Sequence, residues 1–295
     1  MPEIFILLES SPLAWSFTAL LLGLIIGSFL NVVIHRLPIM METSWKQEYQ
    51  NYFHPEQTQP DTPTYNLVTP NSSCPKCGHQ IRAWENIPLI SWLALKGKCS
   101  QCATRIPVRY PLVELFTGLV SGFVAWHYGF TPMALAVLIL SWMLVAMIFI
   151  DLDRMLLPDQ LTLPLLWLGL LASLGVTHVS PTDAIIGAAA GYLSLWSVYW
   201  AFKLLTGKEG MGYGDFKLLA ALGAWVGWQY LPMIILLSSC VGAVFGISMM
   251  LLRKKQSSDS QSMAIPFGPY LAVAGWLTLL YGHEIADLYW SLILG

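Results

Sequence analysis

The sequence predicts an all-α polytopic membrane protein of about eight transmembrane helices, with a small cytoplasmic zinc-binding loop domain. Three observations carry this. Of the 295 residues, 56% are hydrophobic and only 11% charged, whereas an ordinary soluble domain has about 25% charged residues. So little polar material cannot cover a soluble surface. Long stretches carry almost no charge, and four cysteines stand as two C-x2-C pairs inside the one long polar loop. The same composition excludes disordered, collagen-like and disulfide-scaffold chains. A net charge of −2 leaves no basic footprint for nucleic acid.

The uncharged stretches place the helices. Ser10 to Ile34 has no formal charge, residues 112–150 carry only Glu114, 160–202 only Asp183, and 218–252 none. A spanning helix needs ~20 mostly apolar residues, so these stretches hold one, two, two and two helices. Residues 264–295 add another, with Glu284 and Asp287 near its far end. The expected spans are 12–34, 112–130, 132–150, 161–178, 184–202, 216–229, 231–252 and 266–283, the sixth being short. The start carries Glu3 and Glu9 instead of a basic region and has no small-residue cleavage site, so the first span is read as retained. The expected domains are a first helix at 1–35, a cytoplasmic loop at 36–110 and a seven-helix membrane core at 111–295.

Positive charge in short loops marks the cytoplasmic side. The 15 Lys and Arg residues fall as eight between Arg36 and Arg109, then Arg154, then Lys203, Lys208 and Lys217, then Arg253 to Lys255. With eight spans, all of them lie on one side. The termini then face outward, and the loop after the first helix faces the cytoplasm. Small residues four apart (Gly23/Gly27, Gly118/Gly122, Gly187/Gly191, Gly223/Gly227 and Gly242/Gly246) predict close helix contacts.

Cys74-Pro-Lys-Cys77, 21 residues, then Cys99-Ser-Gln-Cys102 reads as a metal site. Each pair makes a tight knuckle presenting two thiolates, and two knuckles close a tetrahedral set. Reduced cytosolic thiols favour metal over disulfide, and a closed set of four implies one structural zinc. Its binding would stand in for the loop's missing core. The set makes His79 unnecessary as a ligand, and Cys240 reads as a packing residue within its helix. Residues 40–73 are polar and rich in Pro, Gln and Asn, predicting an irregular lead-in.

Charged groups at helix depth are costly and become functional candidates. Asp159, after Pro158 and before an apolar run, reads as an N-cap. Asp153 is paired in sequence with Arg154, and Glu114, near Arg109, as half of a surface ion pair. Lys217 reads either as favouring a charged Asp215 or as an interfacial anchor. Asp151 and Asp215 are harder to dismiss. One ends a helix running inward and the other opens a helix running outward, so the topology sets both carboxylates at similar depth on one side. Four glycines in the eight residues Gly207 to Gly214 precede Asp215 and let another backbone come close. An N-cap and an interface residue remain the plain alternative for this pair. Two nearby carboxylates do not ionise together easily, which lets one act as acid and the other as base. Such a pair activates water for peptide hydrolysis, as in aspartic proteases, or moves protons in a transporter. No G-x-S-x-G is present for a serine hydrolase.

Four blocks of sequence resemble the type IV prepilin leader peptidases, the GxGD membrane aspartic proteases that process prepilins for type IV pili and type II secretion. They are Gly27-Ser-Phe-Leu-Asn-Val-Val-Ile-His-Arg-Leu-Pro38, the cysteine region with Trp84-Glu-Asn-Ile-Pro-Leu-Ile-Ser-Trp92, Arg109-Tyr-Pro-Leu-Val-Glu114, and the aspartate motifs Asp151-Leu-Asp-Arg-Met-Leu-Leu-Pro-Asp159 and Gly212-Tyr-Gly-Asp215. The resemblance implies a bacterial inner-membrane endopeptidase with Asp151 and Asp215 as its catalytic pair and Gly212 and Gly214 in the active-site loop. Its implied substrates are prepilins and pseudopilins, cut after the glycine that ends a short basic leader. It further implies N-methylation of the new N-terminal residue, usually phenylalanine, from S-adenosylmethionine, with zinc on the four cysteines. No G-x-G-x-x-G after a strand is present to hold the methyl donor. A proton-coupled transporter lacks the inverted repeats expected of it, and a non-catalytic assembly scaffold leaves the two aspartate motifs without a purpose.

Overall fold

The computed structural model describes residues 3–54, 64–253 and 266–294. These residues form ten α-helices, two 3-10 turns and no β-strand. Each of the eight stretches expected to span contains a helix. Four helical segments among the described residues are long and apolar enough to cross a bilayer: Pro12–Phe53, Pro132–Arg154, Pro181–Thr206 and Trp228–Ser248. The chain divides into two compact units, Met1–Ala146 and Met147–Gly295.

In the first unit, α1 (Glu3–Ser10) leads into α2 (Pro12–Phe53), which starts on a Ser11 side chain accepting from the Ala14 N–H. A 3-10 turn (Ala83–Asn86) and α3 (Ile90–Ala94) lie in the cysteine loop, and α4 (Arg109–Tyr128) returns against α2. Glycine allows that approach. A Cβ at Gly27 would stand 2.8 Å from the Glu114 Cα, and one at Gly118 2.7 Å from Leu24 Cδ2. In lipid, such packing drives helix association because burial of apolar surface does not.

The irregular lead-in expected from residue 40 begins later than expected. Helix α2 runs on to Phe53, 42 residues in all, about 63 Å at 1.5 Å per residue. Between Pro38 and Pro55 there is neither proline nor glycine, so nothing in the backbone stops the helix. The rest of that expectation partly falls on 55–63, outside the described residues. Arg36 is buried where α2 leaves its apolar part, donating from Nη1 to Asn66 O at 3.0 Å and from Nη2 to Pro70 O at 2.6 Å.

Helix α5 (Pro132–Arg154) carries the unit boundary, after which come α6 (Asp159–Ala172), α7 (Pro181–Thr206), α8 (Tyr213–Val226), a 3-10 turn (Trp228–Tyr230), α9 (Leu231–Arg253) and α10 (Gly268–Leu294). Helix α8 is the centre of the second unit, packing on α6, α7 and α10, and every residue from Leu218 to Val226 is buried. Its neighbours close on it through glycines. Gly187 of α7 and Gly223 of α8 meet backbone to backbone, and a Cβ at Gly191 would stand 2.6 Å from Leu219 O. Trp225 Nε1 donates to Leu165 O of α6 at 2.9 Å, buried.

Candidate active site and metal centre

Asp151 lies in the last turn of α5 and Asp215 in the first turn of α8, 5% and 7% exposed. Gly214, the residue before Asp215, and Gly268, which lies against Asp151, both pack on Leu157, so the two helix ends meet around one side chain. Asp215 is not an N-cap: Gly212 occupies that position, and the Asp215 N–H donates to Gly212 O at 3.3 Å. Its Oδ1 is buried without a hydrogen-bond partner among the described residues. Buried polar atoms are almost always paired, so this one is free to meet a substrate or a water.

Two residues that the sequence did not single out hold the site. The Gly268 N–H, opening α10, donates to Asp151 Oδ2 at 3.0 Å, buried. A Cβ at Gly268 would stand 2.6 Å from that oxygen and 3.1 Å from both methyl carbons of Leu157. Leu157, in the connector between α5 and α6, also lies against Gly214, where a Cβ would stand 2.7 Å from its own Cβ. One leucine thus separates the glycine before Asp215 from the glycine that holds Asp151. The signal was Pro266-Phe-Gly-Pro269 ahead of the last apolar run: a glycine beside a helix-starting proline permits close backbone approach.

The surrounding charges differ from expectation. Asp159 is the first residue of α6 and not its cap, which is Pro158. Its carboxylate instead takes both bonds from Lys217 Nζ, at 2.7 Å each. Lys217 therefore serves α6 and not Asp215. Glu209, in the glycine loop, is lowered from its ordinary value first by its hydrogen bond from Lys203, at 2.8 Å.

Glu114 is buried in α4 at 8% exposure and is not a surface ion pair. Its Oε2 accepts the Leu89 N–H at 2.9 Å, at the head of α3. Leu89 takes φ +60°, rare for a leucine. The carboxylate thus ties the cysteine loop to the helix bundle of its own unit.

The four cysteine sulfurs lie within 4.8 Å of one another. Cys74 and Cys102 are 3.7 Å apart and Cys77 and Cys99 3.9 Å, where tetrahedral metal–sulfur bonds of about 2.3 Å set sulfurs roughly 3.8 Å apart. The two knuckles repeat one geometry. In each, the first cysteine's carbonyl accepts an N–H four residues on, from Gly78 and Ala103, both at positive φ (71° and 55°). Single antiparallel bridges, Ser73 to Gln80 and Lys98 to Arg105, close them. His79 is directed elsewhere, with Nε2 3.0 Å from Glu85 Oε2. The Glu85 carboxyl is held down at about 2, first by the Arg82 N–H and then by the Ser100 hydroxyl.

Residues 21–128 match the Bacterial Peptidase A24 N-terminal domain, and 138–247 match the Type IV leader peptidase family. A protein of Pseudomonas aeruginosa named prepilin leader peptidase/N-methyltransferase is 61% identical over 282 residues, 96% of each chain. A relative of the same name from Aeromonas salmonicida is 61% identical over 285 residues, covering 96% of this chain and 97% of that one. One from Neisseria gonorrhoeae is 49% identical over 259 residues, 88% of each chain. No solved structure matches the chain. Matched by both family models and 61% identical to a relative over 96% of its length, the chain belongs to the type IV leader peptidase family.

Proposed function

We propose that the protein is a membrane aspartic endopeptidase of the bacterial inner membrane. It removes the short basic leader of prepilins and pseudopilins after glycine and N-methylates the residue so exposed. The observation that carries the reading is the pair of buried carboxylates, Asp151 and Asp215, delivered by two helix ends in a chain of this family.

In this reading the pair shares one proton. The ionised carboxylate takes a proton from a water as its oxygen attacks the carbonyl carbon of the glycine. The protonated partner gives its proton to the carbonyl oxygen. The tetrahedral adduct then collapses: the carboxyl that took the water's proton gives it to the nitrogen as the C–N bond breaks, and the other carboxylate takes back the proton of the adduct's hydroxyl. Gly268 holds one oxygen of Asp151 through this cycle, and the unpaired Oδ1 of Asp215 faces the reacting atoms. Gly212 and Gly214 keep the loop before Asp215 free of side chains, so a substrate backbone has access. S-adenosylmethionine, when bound, would supply the methyl group for the N-terminal nitrogen and would leave as the neutral thioether, the amine giving up a proton.

The four cysteines, set at zinc–thiolate spacing, hold one structural zinc ion. Charge placement supports a cytoplasmic location for the cysteine loop and the aspartates, with both termini periplasmic. A basic leader lies on that same side before cleavage. The domain reading that goes with this is a first helix at 1–35, a zinc loop at 36–110 and a peptidase core at 111–295.

The test is cleavage in detergent of a prepilin with a Gly–Phe junction. Asp151→Asn and Asp215→Asn each lose cleavage by at least ~10³-fold while keeping folding and metal content. Appreciable cleavage by either variant would remove that carboxylate from the reaction.

A further inference from the structure

The head of α3 is tied to the α2–α4 pair inside its apolar stretch, not beyond it. Asn31 Nδ2 donates to Tyr110 O at 3.1 Å, and a Cβ at Gly27 would stand 2.8 Å from the Glu114 Cα. Both α2 residues belong to the uncharged stretch that runs on to Ile34. At 1.5 Å per residue, Gly27 lies about 10 Å and Asn31 about 5 Å inside that end. The Glu114 carboxylate then takes the Leu89 N–H at 2.9 Å, which sets the start of α3 at the same level. A second tether is Arg36, two residues past Ile34, which holds Asn66 and Pro70 by their carbonyls. We propose that the 3-10 turn and α3 form a shallow membrane anchor, their apolar side chains covered by the leaflet that the cysteine loop faces.

The side chains suit that place. Trp84, Ile87, Ile90 and Leu93 recur at every third residue and are all exposed, Ile90 at 64% and Leu93 at 67%. Residues three apart share a helix face, so Ile90 and Leu93 point the same way from α3. On a loop in water such a row would be an uncovered apolar patch. Interfacial helices sink about 5–10 Å into the boundary between headgroups and acyl chains, the depth that Gly27 and Asn31 give to Leu89. Charge agrees with a lipid cover. From Arg82 to Arg105 the chain carries Arg82, Lys96, Lys98 and Arg105 against Glu85 alone. Glu85 is itself engaged by His79 and the Arg82 N–H. An anionic leaflet attracts such cations.

The backbone gives an independent argument. Acyl chains offer no hydrogen bonds, so an N–H among them must find its acceptor within the protein. Pro88 has no N–H, and Leu89 donates to Glu114. Ile90 donates to Pro88 O at 2.6 Å, Ser91 to Ile87 O at 3.1 Å and Leu93 to Leu89 O at 3.0 Å. The Ile90 bond closes a three-residue turn on Leu89, at φ +60° and ψ −48°, which is a rare and strained form. A loop in water has no need of that turn, because water would accept the N–H. Both the strained turn and the buried carboxylate therefore answer one requirement, a backbone kept satisfied where water is scarce.

The test places a benzophenone amino acid at Ile90 or Leu93 of the full chain, in nanodiscs of phosphatidylethanolamine and phosphatidylglycerol. Leu13, exposed within the apolar part of α2, is the lipid-facing reference. Gln50, exposed on the same helix about 24 Å beyond Ile34, is the distant one. After irradiation, lipid adducts at 90 and 93 come within about threefold of those at 13 and exceed those at 50 by about tenfold. Hydrogen exchange gives a readout without the label. Exchange over 89–95 becomes about tenfold faster in the Ile90→Ser/Leu93→Ser double variant, with 74–80 unchanged. Adducts to an added prepilin in place of lipid would make the face a substrate dock. Adducts no more frequent than at Gln50, or exchange equal to wild type in the double variant, would leave the segment in water. Each of these results overturns the anchor.

Discussion

A methyl group at position 268 would sit 2.6 Å from Oδ2 of Asp151, well inside van der Waals contact. Gly268→Ala therefore has to move either the carboxylate or the start of α10. A displacement of about 1 Å near reacting groups costs up to ~10²-fold in rate. Cleavage by Gly268→Ala should thus fall roughly 10–100-fold in kcat, with KM and metal content near wild type. Glu114 poses a different question, because its task is to satisfy a buried N–H. Glu114→Ala leaves the Leu89 N–H without its acceptor and should cost about 1–3 kcal/mol, read as a lower melting temperature in detergent. Glu114→Gln keeps an acceptor oxygen and should recover most of the loss. For Glu85 the sign follows from its lowered value of about 2 against an ordinary 4.5. A depressed carboxyl stabilises the fold above the unfolded value and loses that contribution as pH falls toward the folded one. The gap in melting temperature between wild type and Glu85→Ala should be full above about pH 4.5 and shrink toward pH 2.

Helix α8 shows how an element of only 14 residues becomes the centre of its unit. At 1.5 Å per residue it is about 21 Å long, so it relies on neighbours for burial. Gly187 and Gly223 set the distance to α7 by leaving backbone against backbone. Gly187→Leu should push the helices apart and abolish cleavage through misfolding, seen as loss of a cooperative thermal transition. The cysteine loop depends on a different support. It has two bridged knuckles, a 3-10 turn and one short helix, and in the proposed metal-bound form metal–thiolate bonds would supply what a hydrophobic core would. Chelation, or Cys77→Ser, should release the metal and open residues 64–108 to protease while far-UV helicity persists. The long helix α2 was only half legible, because the charged run after Pro38 resembles a loop by polarity. What decides is the absence of proline and glycine up to residue 54, together with docking of Arg36 on Asn66 and Pro70.

Over the whole molecule, the membrane class followed from composition, since hydropathy and charge runs are sums over local sequence. So did the helix positions, the small-residue contacts at Gly23, Gly27, Gly118, Gly187 and Gly191, and the cysteine set, whose two-residue gaps are dictated by a single knuckle. These properties are local, and local properties are written in order along the chain. The partners of individual polar groups were not legible. The Asp151–Gly268 bond joins residues 117 apart, Asp159 and Lys217 are 58 apart, and Leu89 and Glu114 are 25 apart. Sequence spacing carries no information on such pairs once the intervening helices are free to choose their neighbours. Asp159 looked like a cap and Glu114 like a surface charge because each was weighed against its neighbours in sequence alone. Sequence by itself therefore determined the class, the helices, the metal motif and the aspartate motifs. The tertiary structure decided which oxygen of Asp151 is held and which atom of Asp215 is left unpaired. It alone brings distant backbone within the 3 Å over which a hydrogen bond acts.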